Sequence, residues 1–374
     1  VIKAKSRQLP QKVSVVHFTP TVRRGGAERQ LMTIVRNSTA IEHHVISLYM
    51  PSQNYLEESE SIRVIQSHSF IGRVIEFSRI MKEVTPDIVV SWDTLTSLIS
   101  LICSISKAYC FVNGSIRHGI YQNNIHGLLR KYLAHVSKIV IANSKAGLRA
   151  NQLSQGYVLY NGVDKKFDKE NTHRDEVDIQ DCVRVKPFYM VSIANMVPYK
   201  DYPTIFRAMD RLRCQGIITH LIAIGDGKLR SQYEQYARDL KILDLVSFIG
   251  NIPNPESYLA KCDIFVHSSK GEGCPNAVLE AMYAGLPVIA SNTGGTSEVI
   301  EDNGILYNYG NDEELSTAIK LLYQESETRK NMAERSYQIV LKKYSAEVMI
   351  INYEHLIHSI FAGESTARDL MVRI

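Results

Sequence analysis

Apolar and polar positions follow two rhythms along the chain. Short apolar runs read VSVVHF (13–18), HHVISLY (43–49), DIVVSW (87–92), AYCFVNGS (108–115), KIVIAN (138–143) and VLYNGV (158–163). Between them lie stretches with helical spacing, among them 27–36 and 125–137. Continuous apolar runs predict strands covered on both faces, and their alternation with helices predicts βαβ units around a parallel sheet. Residues 165–186 break the rhythm: KKFDKENTHRDEVDIQD is charged, has no apolar period and reads as a linker. The rhythm then restarts with FYMVSIAN (188–195), THLIAIG (219–225), LVSFIG (245–250), DIFVHSS (263–269) and LPVIAS (286–291). Helices are predicted near 202–214, 228–240, 276–284 and 311–324. Two doubly wound α/β domains follow, residues 1–164 and 187–344, facing each other. Ligands of such sheets bind at the carboxyl ends of the strands, which here predicts a shared cleft. The tail from 345 reads as helix.

Length agrees with this division, since 374 residues exceed one ordinary core and suit two domains. Hydrophobic content of 45% and charged content of 22% are those of a globular protein. No run reaches the roughly 18 apolar residues of a membrane span, and VIKAKSRQLPQK is basic without the apolar stretch of a secretory signal. A net charge of +4 is too small to imply nucleic acid. The six cysteines are scattered and form no CxxC pair, which argues against a zinc site and a disulfide framework and for a reducing, cytoplasmic setting.

The chemistry concentrates in SSKGEGCPNAVLEAMYAGLPVIASNTGGTSE (268–298). Gly271 and Gly273 loosen the loop after a strand. Pro275 suits the start of a helix, and Ala277, Ala281 and Ala284 let that helix sit close to the sheet. Gly285 ends it and Pro287 opens the next strand. The N–H groups near 274–278 then form the start of a helix at the cleft, a natural seat for phosphate. Glu280, one turn in, can accept two hydrogen bonds from a ribose diol. Glu272 precedes the helix, where a sugar attached to the phosphate would lie. Alternatively, both carboxylates serve only the positive end of the helix.

This segment resembles the signature of glycosyltransferase family 4, retaining enzymes with the GT-B fold (glycosyl transferases group 1). The similarity extends over SIANMVPYKDYPTIFRAM (192–209), IAIGDGKLRSQYEQYA (222–237), VSFIGNIPN (246–254) and VLYNGVD (158–164). It is thinner in the first half, at GGAERQ (25–30) and IVIANSKAGLR (139–149). The resemblance implies two Rossmann-like domains. The first, residues 1–164, binds the acceptor and is completed by a C-terminal helix from about 345–374 that crosses back. The second, 187–344, binds the nucleotide sugar. It assigns the family's paired glutamates to Glu272 and Glu280, and the lysine that holds the donor diphosphate to Lys200. Gly273, Cys274, Pro275, Asn276, Ala277 and Val278 fall in the phosphate-binding turn. The resemblance has Gly25 and Gly26 face the donor phosphates, as glycines that admit close backbone approach before a helix, whereas read alone the pair also suits a plain strand–helix turn. His118 falls where relatives carry a histidine near the sugar; read by itself it is equally an ordinary loop histidine. Glu272, His118 and Lys200 are thus the expected catalytic residues.

One position departs from the pattern. Asn195 stands where many relatives have an arginine, so a fixed charge that would clamp phosphate is missing. Arg23, Arg24 and Arg117 are candidates to replace it. Trp92, at the end of a strand, either shapes an acceptor pocket or packs in the core. Gly225-Asp226-Gly227 is weak evidence alone, and no G-x-G-x-x-G follows the first strand.

The implied reaction needs no metal and no cofactor. A hexose or N-acetylhexosamine, UDP-linked in the expected case, passes with retention to a glycan or polyprenyl-linked acceptor for bacterial surface polysaccharide. Two other readings remain: a sugar-nucleotide epimerase on the same architecture, and a catalytically silent partner subunit. The helix at 124–138 has Ile125, Leu128, Leu129, Tyr132, Leu133 and Val136 on one face, which suits either packing on the sheet or contact with an anionic membrane surface. The expected location is the cytoplasm, at the inner face of the plasma membrane.

Overall fold

The computed structural model describes residues 12–23, 25–51, 62–105, 109–120, 122–164, 187–363 and 371–374. The predicted linker at 165–186 and Arg24 lie outside the described residues. The first half runs β1 (Val13–Thr19), α1 (Gly26–Asn37), β2 (Ile41–Ser47), β3 (Ile62–Val64), α2 (Phe70–Val84), β4 (Ile88–Ser91), α3 (Thr94–Ser104), β5 (Cys110–Ile116), α4 (Ile125–Val136), β6 (Ile139–Ala142), α5 (Lys145–Ala150) and β7 (Gln155–Val158). The second half runs β8 (Phe188–Ile193), α6 (Tyr202–Cys214), β9 (Thr219–Ile224), α7 (Arg230–Asp239), β10 (Val246–Gly250), α8 (Glu256–Leu259), β11 (Ile264–His267), α9 (Asn276–Tyr283), β12 (Val288–Ser291), α10 (Thr296–Val299), β13 (Gly304–Tyr307), α11 (Asp312–Gln324) and α12 (Ser326–Ile339). A π-helical turn, Val340–Tyr344, leads into α13 (Ala346–Ala362) and the short β14 (Met371–Arg373).

The strands form two sheets, ordered β14-β7-β6-β5-β4-β1-β2-β3 and β10-β9-β8-β11-β12-β13. The second is parallel throughout, and the first is parallel except for β14, which runs antiparallel to β7. Period-2 alternation divides each sheet between two cores. Val13 and Val15 face one side of the first sheet with Leu31 and Tyr353, while Val16 and Phe18 face the other with Phe77 and Ile99. Phe18 and Phe77 stack with centroids 4.3 Å apart. In the second sheet Met190 and Val266 pack with Phe206 and Leu315, whereas Val191 and Phe265 pack with Val278 and Met282 of α9.

The segment that ends the first domain pairs with the segment that returns to it from the second. Val163 N–H donates to the Tyr344 carbonyl and Ala346 N–H donates to that of Val163, both at 2.8 Å. The Ser345 hydroxyl caps α13 by accepting from Val348 N–H. Met349, Ile350, Tyr353, Leu356, Ile357 and Ile360 of α13 are then buried against the first sheet.

Four elements differ from the sequence reading. VLYNGV (158–163) is strand only at its first residue. Beyond it the chain leaves the sheet because Asn161 and Gly162 bond to side chains and carbonyls at the domain junction. β3 and β14 have three residues each and β13 has four, too short to carry a period.

α13 also closes a polar group inside the first domain. His17 Nε2 lies 3.0 Å from His43 Nδ1, Trp92 Nε1–H donates to His17 Nδ1 at 3.2 Å, and the Tyr353 ring packs beside both imidazoles. Burial pushes His17 well below its ordinary pKa of 6.5, reinforced by His43 and His44. Burial likewise lowers His43 to about 4, against the pull of Glu354. Both are neutral in the fold, so the unfolded chain binds the protons first, and stability is complete above about pH 6.5 and lost as pH falls toward 4. The urea-unfolding free energy of wild type should therefore decline across that window, and that of His43→Gln should decline less steeply. Equal slopes would contradict the buried neutral pair.

Candidate active site

The carboxyl ends of β8, β9 and β11 meet α1 of the other domain across a cavity of about 630 Å³. That size suits a small-molecule ligand. Gly26, Arg29, Arg117 and Asn161 line it from the first domain; Asn195, Lys200, His267, Glu272, Cys274, Pro275, Asn276, Ala277 and Glu280 line it from the second. Gly25 stands one step back as the cap of α1, and Val278 is fully buried in the core. His118 does not line the cavity, although Glu272 acts on its ring, whose pKa is lowered chiefly by burial. A smaller cavity of about 260 Å³ beside α4 and β14 holds none of these residues.

The position of each group follows from local structure. Pro275 precedes α9 and no side chain caps the helix. Its first N–H groups have no partner within the helix, the condition under which a helix start binds an anion. Neither glutamate serves that helix end. Glu280 accepts from Arg29 Nη2 at 2.5 Å, a bridge from α9 to α1. Glu272 pairs with Lys200 and also accepts from the Ser269 hydroxyl at 3.3 Å. A backbone bridge between Lys200 and Ser269 fixes the two segments that carry the pair. Burial opposes ionisation of Glu272, yet Lys200, His267 and His118 outweigh it and hold the carboxyl below its ordinary range.

Of the two candidate arginines among the described residues, Arg117 reaches the cavity and Arg23 does not line it. Its guanidinium lies 4.2 Å from the centroid of the Trp92 ring, and burial lowers its pKa to about 10. Trp92 itself is buried in the core, so it packs there while supporting a cavity residue. Burial raises the Cys274 thiol to about 12, which leaves it protonated and unreactive.

Asn276 and Gly273 act on the junction. The Asn276 amide donates to the Gly26 carbonyl at 3.1 Å and accepts from Asn161 at 2.7 Å and Gln30 at 3.3 Å. A Cβ on Gly273 would stand 2.1 Å from Asn143 Oδ1 and 2.5 Å from the Arg117 carbonyl, so this glycine is required by the first domain's approach. A second clasp lies at Glu298, which accepts from Lys145 N–H at 2.9 Å, Ala146 N–H at 2.6 Å and the Tyr160 hydroxyl at 2.9 Å. A carboxylate at the N-terminus of α5 is favourable in charge as well as geometry.

Sequence reasoning left Arg29, Asn161 and His267 unassigned. Arg29 had a signal: a cation in the first turn of α1 is of the wrong sign for that helix end and needs a partner. His267 had one too, as the polar residue ending the apolar run DIFV. Asn161 had none, since its partners are more than a hundred residues away. Among the described residues no three His, Cys, Asp or Glu side chains converge as a metal-holding group.

The family model for glycosyl transferases group 1 matches residues 174–339, the segment that builds the second wall of this cavity. Residues 174–339 are thus similar to glycosyl transferases group 1. Among curated proteins, the N-acetyl-alpha-D-glucosaminyl L-malate synthase of Bacillus anthracis is 25% identical over 262 residues, 69% of this chain and 65% of that enzyme. The lipopolysaccharide core biosynthesis glycosyltransferase LpsD of Rhizobium meliloti (strain 1021) is 24% identical over 353 residues, 91% of this chain and 96% of LpsD. For the related LpsE the match spans 49% of its length. Anabaena HepE in complex with UDP superposes with a TM-score of 0.79 at 20% identity, covering 93% of this chain and all of that one. A glycosyltransferase from Rickettsia africae gives 0.77 at 18% identity over 95% of this chain and all of that one. The architecture is therefore GT-B, two facing Rossmann-like domains, with the group 1 segment in the second.

The two domains of this GT-B chain meet with no room for a methyl group. A Cβ on Gly119 would lie 1.9 Å from the Glu272 carbonyl and 2.7 Å from Gly294 Cα, contacts with backbone that cannot yield cheaply. Gly119→Ala should hold the domains apart and raise the radius of gyration measured by small-angle X-ray scattering. An unchanged value would contradict the closed junction described here.

Proposed function

We propose that this chain is a retaining glycosyltransferase that moves a hexose or N-acetylhexosamine from a UDP-linked donor to a glycan or polyprenyl-linked acceptor in surface polysaccharide synthesis. The observation that carries the reading is the meeting of Lys200, Glu272, Glu280 and the uncapped start of α9 around one interdomain cavity. The group 1 match and the relatives of lipopolysaccharide synthesis support it.

In this reading the diphosphate sits at the first turn of α9, met by its N–H groups and by Lys200. Glu280 takes the ribose hydroxyls, with Arg29 shifting from carboxylate toward phosphate. Glu272, released from Lys200, holds hydroxyls of the donor sugar. The bond between the anomeric carbon and the phosphate oxygen breaks while the acceptor oxygen attacks from the same face. The acceptor proton passes to the departing phosphate oxygen. Lys200 and the helix amides thus stabilise charge where it develops, with no metal required.

The surface of the first domain supports a peripheral membrane contact. α4 turns Leu133 and Ala134 inward but leaves Ile125, Leu128, Tyr132 and Val136 exposed by 77%, 57%, 63% and 43%. Ile71 and Ile75 of α2 and Ile105 beyond α3 are exposed as well. Lys138 adds positive charge next to the stripe. Such a face suits the surface of an anionic bilayer, where a lipid-linked acceptor would be found. No helix among the described residues is long and apolar enough to cross a membrane.

Replacing Lys200 or Glu280 by alanine should weaken UDP-sugar binding by about ten- to a hundredfold in calorimetry, the scale of one charged hydrogen bond. Unchanged affinity in both variants would overturn the site, and donor turnover without acceptor would point to epimerisation instead. Transfer should persist in EDTA. Wild type should float with vesicles containing anionic lipid and Leu128→Asp/Tyr132→Asp should not; flotation unaffected by the double substitution would contradict the membrane face.

A further inference from the structure

His267 lines the cavity, and the reading above gives it no role. His267 is the last residue of β11, where Ile264, Phe265 and Val266 before it are wholly buried core residues. It lines the cavity at 1% exposure, and neither ring nitrogen has a hydrogen-bond partner among the described residues. Leaving a buried polar group without a partner costs on the order of 1–3 kcal/mol, which an apolar residue at the end of an apolar strand would avoid.

Its surroundings define what it can bind. On the strand its ring stacks beside Phe265, an apolar neighbour that offers no hydrogen bond. The charged groups that act on it are Lys200 and Glu272. These two are paired with each other, and Glu272 also takes the Ser269 hydroxyl. Burial first, and Lys200 second, lower the ring's pKa to about 3, so it is a neutral imidazole with one N–H to donate and one nitrogen to accept. The cations of the cavity are already engaged: Arg29 with Glu280, Lys200 with Glu272, and Arg117 against Trp92. A dianionic group entering between Lys200 and Glu272 separates them and meets the ring with its donor unspent.

We propose that His267 is a donor-binding residue whose ring N–H hydrogen-bonds a phosphate oxygen of the bound nucleoside diphosphate, beside Lys200. This inference rests on the glycosyltransferase reading of the cavity. It extends that reading to a residue of the strand, outside both the loop and the helix of the 268–298 segment. It also gives the phosphate a neutral donor on the second-domain wall where Asn195 supplies no charge.

The test uses calorimetric titration with UDP and with UMP, together with thermal melting, on wild type, His267→Leu and His267→Gln. If His267 contacts the phosphate, His267→Leu should bind UDP about tenfold more weakly while its melting temperature stays level or rises, because an unpartnered buried polar group has been removed. His267→Gln, which keeps an N–H donor, should recover part of the UDP affinity. UMP should be less affected than UDP. A lowered melting temperature in His267→Leu with unchanged UDP affinity would overturn the proposal in favour of a packing role. UDP affinity equal in all three proteins would overturn it as well. Wild type that binds no nucleotide from a panel of UDP, GDP and ADP would overturn the donor reading itself, and this proposal with it.

Discussion

The ion pair between Lys200 and Glu272 is the constraint around which the cleft is organised. Taking either charge out of water alone costs several kcal/mol, and pairing removes most of that cost only when the geometry is held. Here it is held from three directions. The backbone bridge between Lys200 and Ser269 sets the separation, the Ser269 hydroxyl supports the carboxylate, and the Glu272 carbonyl accepts from Gly295 N–H at 2.8 Å. A pair so placed is stable while the cavity holds only solvent and is open to exchange when an anion arrives. In the proposed reading a phosphate replaces the carboxylate at Lys200, and sugar hydroxyls replace the ammonium at Glu272.

The domain junction makes that exchange local. Glu280 with Arg29, Asn276 with Asn161 and Gln30, and Glu298 with the start of α5 all join the two domains around the cavity. Gly119 and Gly273 bring backbone against backbone between them. Among the described residues the segments entering and leaving the second domain pair at Val163 and Ser345, so closing is governed by side-chain contacts at the cleft with this paired crossing behind it. In addition, α13 anchors the crossing through its burial on the first sheet.

The pattern of apolar runs made much of this fold legible, because β1, β8, β9, β11 and β12 are buried on both faces and their sequences show it. β3 and β14 escaped because three residues carry no period. The tail beyond 363 read as helix, yet its end is a strand paired antiparallel to β7. The candidate site was legible where one continuous segment builds it, at Glu272, Cys274, Asn276 and Glu280. It was not legible where a partner comes from far along the chain. Arg29 meets Glu280 across 251 residues and Asn161 meets Asn276 across 115. The helix at 125–136 shows the same limit: spacing placed Leu133 and Tyr132 on one face, but packing buries the first and exposes the second.

The central claim is that a nucleoside diphosphate takes the place of Glu272 at Lys200 and lies on the start of α9. A crystal structure of the wild-type protein with UDP tests it most directly. The account predicts the diphosphate at the first turn of α9, with Lys200 Nζ within hydrogen-bond distance of a phosphate oxygen and no longer on Glu272. Nucleotide bound elsewhere, or bound with the Lys200–Glu272 pair intact, would contradict it.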